Sequence, residues 1–529
     1  MSRSTLLRNG RVYSPGDPSA TAMLVAGEQI AWVGDEARAA TRAGSADAIV
    51  DLDGALVTPA FVDAHMHVLG TGLSERGAAI GDARSLDDFL DRLRRYARAH
   101  PDEPIGGQGW DEHNWPERRP PTREEIDRAT EGAVVLLSRV DGHSSLISTA
   151  LAERQPGITA ADGYEGAIVR REAQTLARQA ADRSIPAHFR REIHRGALLR
   201  AASLGIGAVH EMAAPHINGE HDVRALLELT TAEPLPEVVA YWGEAGADGV
   251  RRALDIGAAG AAGDLTVDGS LGSRSAGLDA PYADDPSTSG QLYLDVDAAT
   301  DHVVACTQAG LQAGFHCIGE AAVRIAVTAI ANAVERCGEE NVVRARHRLE
   351  HVEMISPELI EQMARLGIVA SVQPVFDALW GGDQGMYSTR LGKPRAAALN
   401  PFASMARAGV ALAFGSDSPV TPLGGWEAVR AAVYHHNPEH RMSVRGAFQA
   451  ATRGGWRAAK VQDAGTLAAG MAATFAVWEP SGGSDAVGPA DEAEPGSGSA
   501  AVGLPDLAPG QPLPRCVRTV VRGRIVFER

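Results

Sequence analysis

Two histidines separated by a single residue carry the strongest chemical signal in the chain. His65 and His67 lie in VDAHMH, at the end of an apolar segment that is typical of a β-strand. Side chains two positions apart on a strand point to the same side, so both imidazoles can bind one metal ion. A His-x-His pair alone is a weak signal, because the same pattern occurs in ordinary polar loops.

Three more residues of metal-binding type follow at the ends of later apolar segments. His316 lies in AGFHCIG, His351 in RLEHVEM and Asp417 in VALAFGSDSP. Each of them alone is more often a structural residue than a ligand. Together with the His-x-His pair, they place five such side chains on four strands, which predicts a metal centre.

The elements that must position these residues are eight apolar, strand-like segments separated by amphipathic helical stretches. The segments are ALVTPAFVDAHMH, GIGAVHEM, EVVAYW, GDLTVDG, AGFHCIGE, HRLEHVEM, GIVASVQP and VALAFGSDSP. Eight units of a strand followed by a helix predict an α/β fold, a (β/α)8 TIM-like barrel. Catalytic residues of such barrels lie at the carboxyl ends of the strands, where the five candidates lie.

The rest of the chain predicts two additions to a barrel at residues 59–465. Residues at about 75–190 are too many for one strand-to-helix connection, and we interpret them as a lobe inserted over the barrel mouth. Residues 1–58 and 466–529 both contain short alternating strands, which predict one small β-sandwich domain built from both termini. Residues at about 480–513 are rich in Gly, Ser, Pro and Ala, and predict a flexible surface loop.

Composition narrows the classes of partner. The 529 residues are 44% hydrophobic and 22% charged, as in ordinary globular proteins. A net charge of -17 disfavours nucleic acid and anionic membranes as partners, so we expect a small-molecule substrate. Four cysteines without a CxxC pair, and the lack of a signal-like or membrane-spanning apolar run, predict a cytoplasmic protein. Barrels of this size often form homodimers, although no exposed apolar stripe in the sequence argues for one.

Several segments together resemble the amidohydrolase superfamily, in the branch of N-substituted formamide deformylase-like proteins. The matching segments are TPAFVDAHMH, GGQGWDEHNWPERRPPTREEID, LLSRVDGHSSLIST, VDGSLGSRSA, FHCIGEAAV, RLEHVEMI, ASVQP, FGSDSPV and GTLAAGMAATFAVW. They extend over nearly the whole chain in the family's order. The resemblance implies one or two divalent metal ions, with Zn²⁺ expected.

The resemblance also implies residue roles. His65 and His67 would bind the first metal, while His316 and His351 would bind a second metal or orient the substrate. Asp417 would contact the metal and act as general base and general acid. This role is chemically sound, because a metal lowers the pKa of a bound water towards about 7 and a neighbouring carboxylate can accept its proton.

The implied function is hydrolysis of a C–N bond, in an amide or N-formyl compound, by a water that the metal activates. Hydrolytic deamination of a cyclic or aryl amine would use the same metal chemistry with another pocket. A third hypothesis is a non-catalytic binding protein on the same scaffold. The presence of all five candidate residues argues against it.

The sequence departs from the family on the fourth strand. Many members with two metals have a carboxylated lysine there, but this chain has Asp264, and its only lysines are Lys393 and Lys460. We therefore expect no carboxylated lysine. Three alternatives remain: a single metal, direct ligation by Asp264, or a bridge from another carboxylate. Glu211, at the end of the second strand, is the preferred third candidate, with His210 expected to point away; pairing of Glu211 with an arginine is the structural alternative.

Three further residues are candidate substrate contacts. His143 in VDGHSS matches a family histidine of the inserted lobe, and is equally consistent with a structural hydrogen bond. Arg274 in DGSLGSR can bind an anionic or carbonyl group, or form a salt bridge. Trp110 can line the pocket or belong to the core. His435 and His436 are interpreted as surface or rim residues.

Overall fold

A parallel sheet of eight strands lies at the centre of the computed structural model, which describes residues 4–101, 103–140, 142, 144–479 and 503–529. The strands follow one another around the sheet in chain order: Phe61–Met66, Ile206–Ala213, Glu237–Trp242, Gly260–Ala261, Gln312–Cys317, Arg348–His351, Val369–Val372 and Ala411–Phe414. The eighth strand lies beside the first, since the Asp417 N–H donates to the His65 carbonyl at 2.7 Å and Met66 pairs with Ser418. The predicted TIM-like barrel is confirmed.

The barrel strands are buried on both faces, which explains their nearly continuous apolar sequences. All eight residues of Ile206–Ala213 are buried, for example. The fourth strand is shorter than predicted, and residues 263–269 continue it irregularly, with one bridge between Thr266 and His316. The regular strand ends just before Gly263, which has a φ of 83° and lies where a Cβ would be 2.8 Å from Met212 Sδ, so that glycine suits this position.

Helices surround the barrel and connect its strands. They are Val68–Arg76, Ala187–Ser203, Glu220–Ala232, Gly246–Ile256, Val296–Gln308, Glu320–Cys337, Glu339–Ala345, Pro357–Arg365, Pro374–Trp380, Met386–Leu391, Lys393–Ala396, Phe402–Ala408, Gly425–Val433, Val444–Gln449 and Gly455–Ala458. Among the described residues, no helix is both long and apolar enough to cross a membrane.

The inserted lobe has a sheet and a core of its own. Its five strands, in sheet order, are Tyr164–Glu165, Ile168–Arg170, Ser144–Ile147, Val135–Arg139 and Ile105–Trp110. Its helices are Leu86–Ala99, Arg123–Thr130, Thr149–Arg154 and Arg171–Ser184. Phe89, Trp110 and Trp115 are fully or almost fully buried in its core.

Two sheets built from the chain termini form the small β-domain. One contains Ser4–Arg8, Ala22–Ala26, Gln29–Gly34 and Ala48–Asp51, and the helix Glu36–Ala40 packs against it. The other joins Arg11–Val12 and Leu56–Pro59 to Phe475–Trp478, Cys516–Val521 and Arg524–Glu528. Met23, Ile30, Phe475 and Val520 belong to one buried cluster between the sheets. The sandwich predicted from both termini is confirmed.

The acidic, Gly- and Ser-rich segment is described only in part. Residues 480–502 lie outside the described residues. Residues 503–513 differ from the predicted surface loop, because Leu504 and Leu507 are buried in the main core and Arg430 donates to the carbonyls of Leu507 and Gln511. Leu504 and Leu507 bury apolar surface that orders this part of the segment. The average composition of the whole segment did not indicate this.

Candidate metal centre

Six side chains converge at the carboxyl ends of the barrel strands. We call His65, His67, Asp264, His316, His351 and Asp417 the histidine–aspartate cluster. His65 Nε2 lies 3.5 Å from both Asp264 Oδ1 and Asp417 Oδ1. His67 Nε2 lies 3.3 Å from Asp264 Oδ2 and 3.2 Å from Asp417 Oδ1. The five residues predicted from the sequence therefore meet around Asp264.

Asp264 lies close to all four histidines of the cluster. Its Oδ2 faces His67, whereas its Oδ1 faces His65 and also lies 3.7 Å from His316 Nδ1 and 4.0 Å from His351 Nε2. Asp264 is 8% exposed. This is the placement that direct ligation by Asp264 requires.

Buried hydrogen bonds join the first strand to the segment after the eighth strand, close to His65 and Asp417. The Asp63 carboxylate accepts from the backbone N–H groups of His65 and Ser416, at 3.2 and 2.9 Å. His351 and Asp417 have positive φ values of 73° and 56°. Positive φ is uncommon for non-glycine residues and is found at functional sites among other places.

Several buried atoms in the cluster have no hydrogen-bond partner. They are His65 Nε2, His351 Nε2 and Asp264 Oδ1, which face one another, and His67 Nδ1, the ring nitrogen opposite the one that faces the two carboxylates. Buried polar atoms normally have partners, so unpartnered atoms that converge need a bound group to satisfy them. A tetrahedral metal with bonds of about 2.0–2.1 Å places its ligand atoms about 3.4 Å apart. The separations of 3.2–4.0 Å within the cluster fit this requirement.

Hydrogen bonds from outside the cluster orient three of its imidazoles. His65 Nδ1 lies 2.9 Å from Glu350 Oε2, and His351 Nδ1 lies 2.8 Å from Gln373 Oε1. His316 Nε2 lies 3.4 Å from the Gly269 carbonyl. Because a carboxylate and a carbonyl only accept, each of these nitrogens donates, and the opposite ring nitrogen carries the lone pair that a metal requires.

The electrostatics of the cluster favour a cation. Burial alone would lower the pKa of His67, but the carboxylates of Asp264 and Asp417 outweigh burial and raise the pKa to about 10. The pKa of His65 is likewise raised, since the same two carboxylates outweigh its burial. A divalent metal at this point takes the place of such protons, because metal ligands must be deprotonated.

Comparison with known proteins identifies the family of the chain. The family model for the amidohydrolase family matches residues 48–527. The chain belongs to this amidohydrolase family. It is 26% identical over 419 residues to the putative amidohydrolase YtcJ of Bacillus subtilis (strain 168), covering 73% of this chain and 74% of YtcJ.

Two further comparisons are a partial sequence match and a match of the whole fold. N-substituted formamide deformylase of Arthrobacter pascens is 27% identical over 145 residues, which is 27% of each protein. The crystal structure of an uncharacterized metal-dependent hydrolase from Pyrococcus furiosus superimposes with a TM-score of 0.73 at 25% identity, covering 90% of this chain and 98% of that one. The chain therefore has the fold of the metal-dependent amidohydrolases, and its cluster implies a divalent metal.

Glu211 lies outside the cluster of this amidohydrolase, and the predicted directions of Glu211 and His210 are wrong. The Glu211 carboxylate accepts from the Val68 N–H at 2.7 Å and from Asn218 Nδ2 at 3.2 Å. His210 instead points into the barrel, where its Nδ1 accepts from Arg348 at 3.1 Å. Both faces of this strand are buried, and its pairing with the first strand contains two register shifts, so polarity alone did not show which face is inward.

The predicted substrate contacts are engaged elsewhere or lie outside the described residues. Trp110 is buried in the lobe core and donates to the Leu137 carbonyl at 2.9 Å. Arg274 forms two hydrogen bonds with the Asp284 carboxylate, at 3.1 and 2.8 Å. These are the core and salt-bridge alternatives for the two residues. His143 lies outside the described residues.

The interpretation of His435 and His436 as surface or rim residues is wrong for His435. His435 is 2% exposed, and its Nε2 lies 3.4 Å from the buried Asp377 carboxylate. His436 is partly exposed and contacts the same carboxylate at 3.1 Å. Burial against the helix Pro374–Trp380 explains the difference, since that contact joins segments far apart in the sequence.

Sequence reasoning missed some residues around the cluster of the amidohydrolase. Glu350 and Gln373 were not recognised as partners of His65 and His351. His216, on the loop after the second strand, was also missed; burial lowers its pKa to about 4, while the nearby Asp264 carboxylate opposes that shift. Glu350 alone had a usable signal, because a charged residue within the buried strand RLEH needs a buried partner.

Proposed function

We propose that the chain hydrolyses a C–N bond, in an amide or N-formyl group of a small molecule. The observation that supports this proposal is the convergence of four histidines and two aspartates at the carboxyl ends of the barrel strands, where barrel enzymes carry out their chemistry. The partial similarity to N-substituted formamide deformylase supports the substrate class.

The residues that would hold the metal are those with ligand atoms facing the centre of the cluster. They are His65, His67, Asp264, His316, His351 and Asp417. We propose Zn²⁺, because imidazole and carboxylate ligands suit a tetrahedral zinc site; four of the six side chains would hold a single ion, and two ions would share the six. A bound divalent metal supplies Lewis acidity, which acidifies a water and polarises the scissile carbonyl.

Asp264 replaces the family lysine in this proposal. Its two carboxylate oxygens face different histidines, with Oδ2 towards His67 and Oδ1 towards His65 and His316. A carboxylate in this position would serve as a ligand for one metal ion or for two. No lysine is required for either arrangement.

Asp417 moves the proton. Its carboxylate is 8% exposed and lies against His65 and His67, where it can accept a proton from the attacking water and return it to the leaving nitrogen. The hydrogen bond from the Asp417 N–H to the His65 carbonyl, together with its positive φ, fixes the direction of this side chain.

Metal content and product identity test the proposal. Protein purified without chelator should contain about one or two equivalents of metal per chain, and His65→Ala should contain less. A screen of amides and N-formyl compounds should then release a carboxylic acid or formate. Release of ammonia from cyclic or aryl amines instead would establish the deaminase. Failure to bind any metal would refute both and leave a binding protein.

A further inference from the structure

A buried chain of polar side chains lies inside the barrel, below the histidine–aspartate cluster. Arg348 and Glu350 are two positions apart on the sixth strand, so their side chains share its inner face. Arg348 Nε donates to Glu350 Oε1 at 2.5 Å, and Arg348 Nη2 donates to Glu350 Oε2 at 3.0 Å. Both side chains are fully buried.

Other barrel strands hold Arg348 in place. Its Nη2 donates to the Ala64 carbonyl at 2.8 Å, and its Nη1 donates to His210 Nδ1 at 3.1 Å. Its guanidinium also lies 4.4 Å from the ring centre of Tyr241. The Glu350 carboxylate therefore has a charged partner whose own position is fixed from three directions.

The upper end of this chain is His65. Glu350 Oε2 accepts from His65 Nδ1 at 2.9 Å, which directs the lone pair of His65 Nε2 towards Asp264 and Asp417. The neighbouring histidines differ, since His351 has the neutral amide of Gln373 as its outer partner and His316 has a backbone carbonyl. A carboxylate partner increases the basicity of an imidazole more than a neutral acceptor does.

We propose that Glu350 is the positioning residue of the metal centre, and that it acts through His65, with Arg348 holding its carboxylate. This inference depends on the metal centre in the proposed function. Glu350 fixes the tautomer and the ring orientation of His65, so that the ligand atom is already directed at the metal before binding. Partners of this kind affect metal affinity by about 10–100-fold.

The matched control is a second histidine–carboxylate–arginine arrangement outside the cluster. Asp222 is fully buried and accepts from Arg190 Nη1 at 2.6 Å, with His194 Nε2 at 2.9 Å. Asp222→Asn removes the same kind of charge from the same kind of network. Any loss of stability that comes simply from disrupting a buried ion pair will appear in Asp222→Asn as well as in Glu350→Gln.

The experiment measures Zn²⁺ affinity by competition with a chromophoric chelator, on metal-free parent, Glu350→Gln and Asp222→Asn. Thermal unfolding of each metal-free protein reports the structural cost separately. We expect Glu350→Gln to bind Zn²⁺ about 10–100-fold more weakly than the parent, while Asp222→Asn binds like the parent. Co²⁺ absorption spectra should change in Glu350→Gln alone, since they report ligand geometry.

Equal Zn²⁺ affinity in parent and Glu350→Gln would overturn the inference but leave the proposed function intact. A parent that binds no Zn²⁺ would overturn the proposed function itself, and the inference with it. If Glu350→Gln does not fold, the double variant Arg348→Met with Glu350→Gln removes both charges and so leaves no unpaired buried ion. Parent-like Zn²⁺ affinity in that variant would equally refute the role of Glu350.

Discussion

Glu211→Gln should change how stability depends on pH without changing metal content. Glu211 is fully buried beside the cluster, and its carboxylate accepts from the Val68 N–H and from Asn218 Nδ2. Burial raises the pKa of Glu211 to about 7; the nearby His67 opposes the rise and Asp222 adds to it. This carboxyl group is therefore easier to protonate in the folded chain than in the unfolded one.

The magnitude follows from linkage between protonation and folding. The ordinary pKa of this group is 4.5, and one pKa unit corresponds to about 1.4 kcal/mol, so a pKa of about 7 amounts to roughly 3 kcal/mol. A group whose pKa is higher in the folded state contributes this stability fully below pH about 4.5 and loses it as the pH rises through about 7. The parent should lose roughly 3 kcal/mol from this group between pH 4.5 and 8.

The assay is urea unfolding of the metal-free protein at several pH values from 5 to 8, for the parent, Glu211→Gln and Glu335→Gln. Glu335 is an exposed residue of the helix Glu320–Cys337 and serves as the control. The difference in unfolding free energy between Glu211→Gln and the parent should shift by roughly 3 kcal/mol in favour of the variant as the pH rises.

The pH dependence is the readout, because glutamine also changes the hydrogen bond to Asn218 by a constant amount. Parallel curves for parent and Glu211→Gln would refute the reasoning from burial. Loss of metal in Glu211→Gln would instead show that this carboxylate belongs to the metal centre.

Three further predictions concern the chemistry, the core and the metal. Asp417→Asn should lower kcat per bound metal by about 10²–10⁴-fold, measured on the substrate found by screening; an unchanged kcat would assign the proton transfer to another group. Leu507→Ala should lower stability by about 2–5 kcal/mol in thermal unfolding, whereas the control Leu254→Ala, at a half-exposed position, should change it little. Chelation should lower the Tm and Zn²⁺ should restore it, since a ligand that binds only the folded state stabilises it; an unchanged Tm would contradict a bound metal.

The barrel and most of the cluster could be predicted from local sequence patterns. Each of His65, His316, His351 and Asp417 ends an apolar segment, and strand ends converge in a barrel whatever the connecting helices contain. Residues at the ends of successive apolar segments of the sequence therefore lie close together in the folded chain. This is why residues from the first and the eighth strand, far apart in the chain, could be assigned to one centre.

Residues whose roles depend on long-range partners could not be predicted in this way. Arg274 binds Asp284 and His435 is buried against Asp377, and neither partner is marked by any local pattern. His210 and Glu211 show a related difficulty. Both lie on a strand that is buried on both faces. Only their hydrogen-bond partners, Arg348 for His210 and Val68 for Glu211, distinguish the inner face of this strand from its outer face.

Local backbone geometry explains how Asp264 can serve as a ligand in the proposed metal centre. The fourth strand is short, and Gly263 turns the chain with a φ of 83° where any Cβ would contact Met212, a residue of the barrel interior. The residue that follows therefore starts close to the barrel interior, and a side chain as short as aspartate lies within 4.0 Å of all four histidines. A lysine at this position needs a carboxyl group added to it before it can bind a metal, whereas aspartate already carries one. In the proposed metal centre, Asp264 would thus supply this carboxylate without a modified side chain.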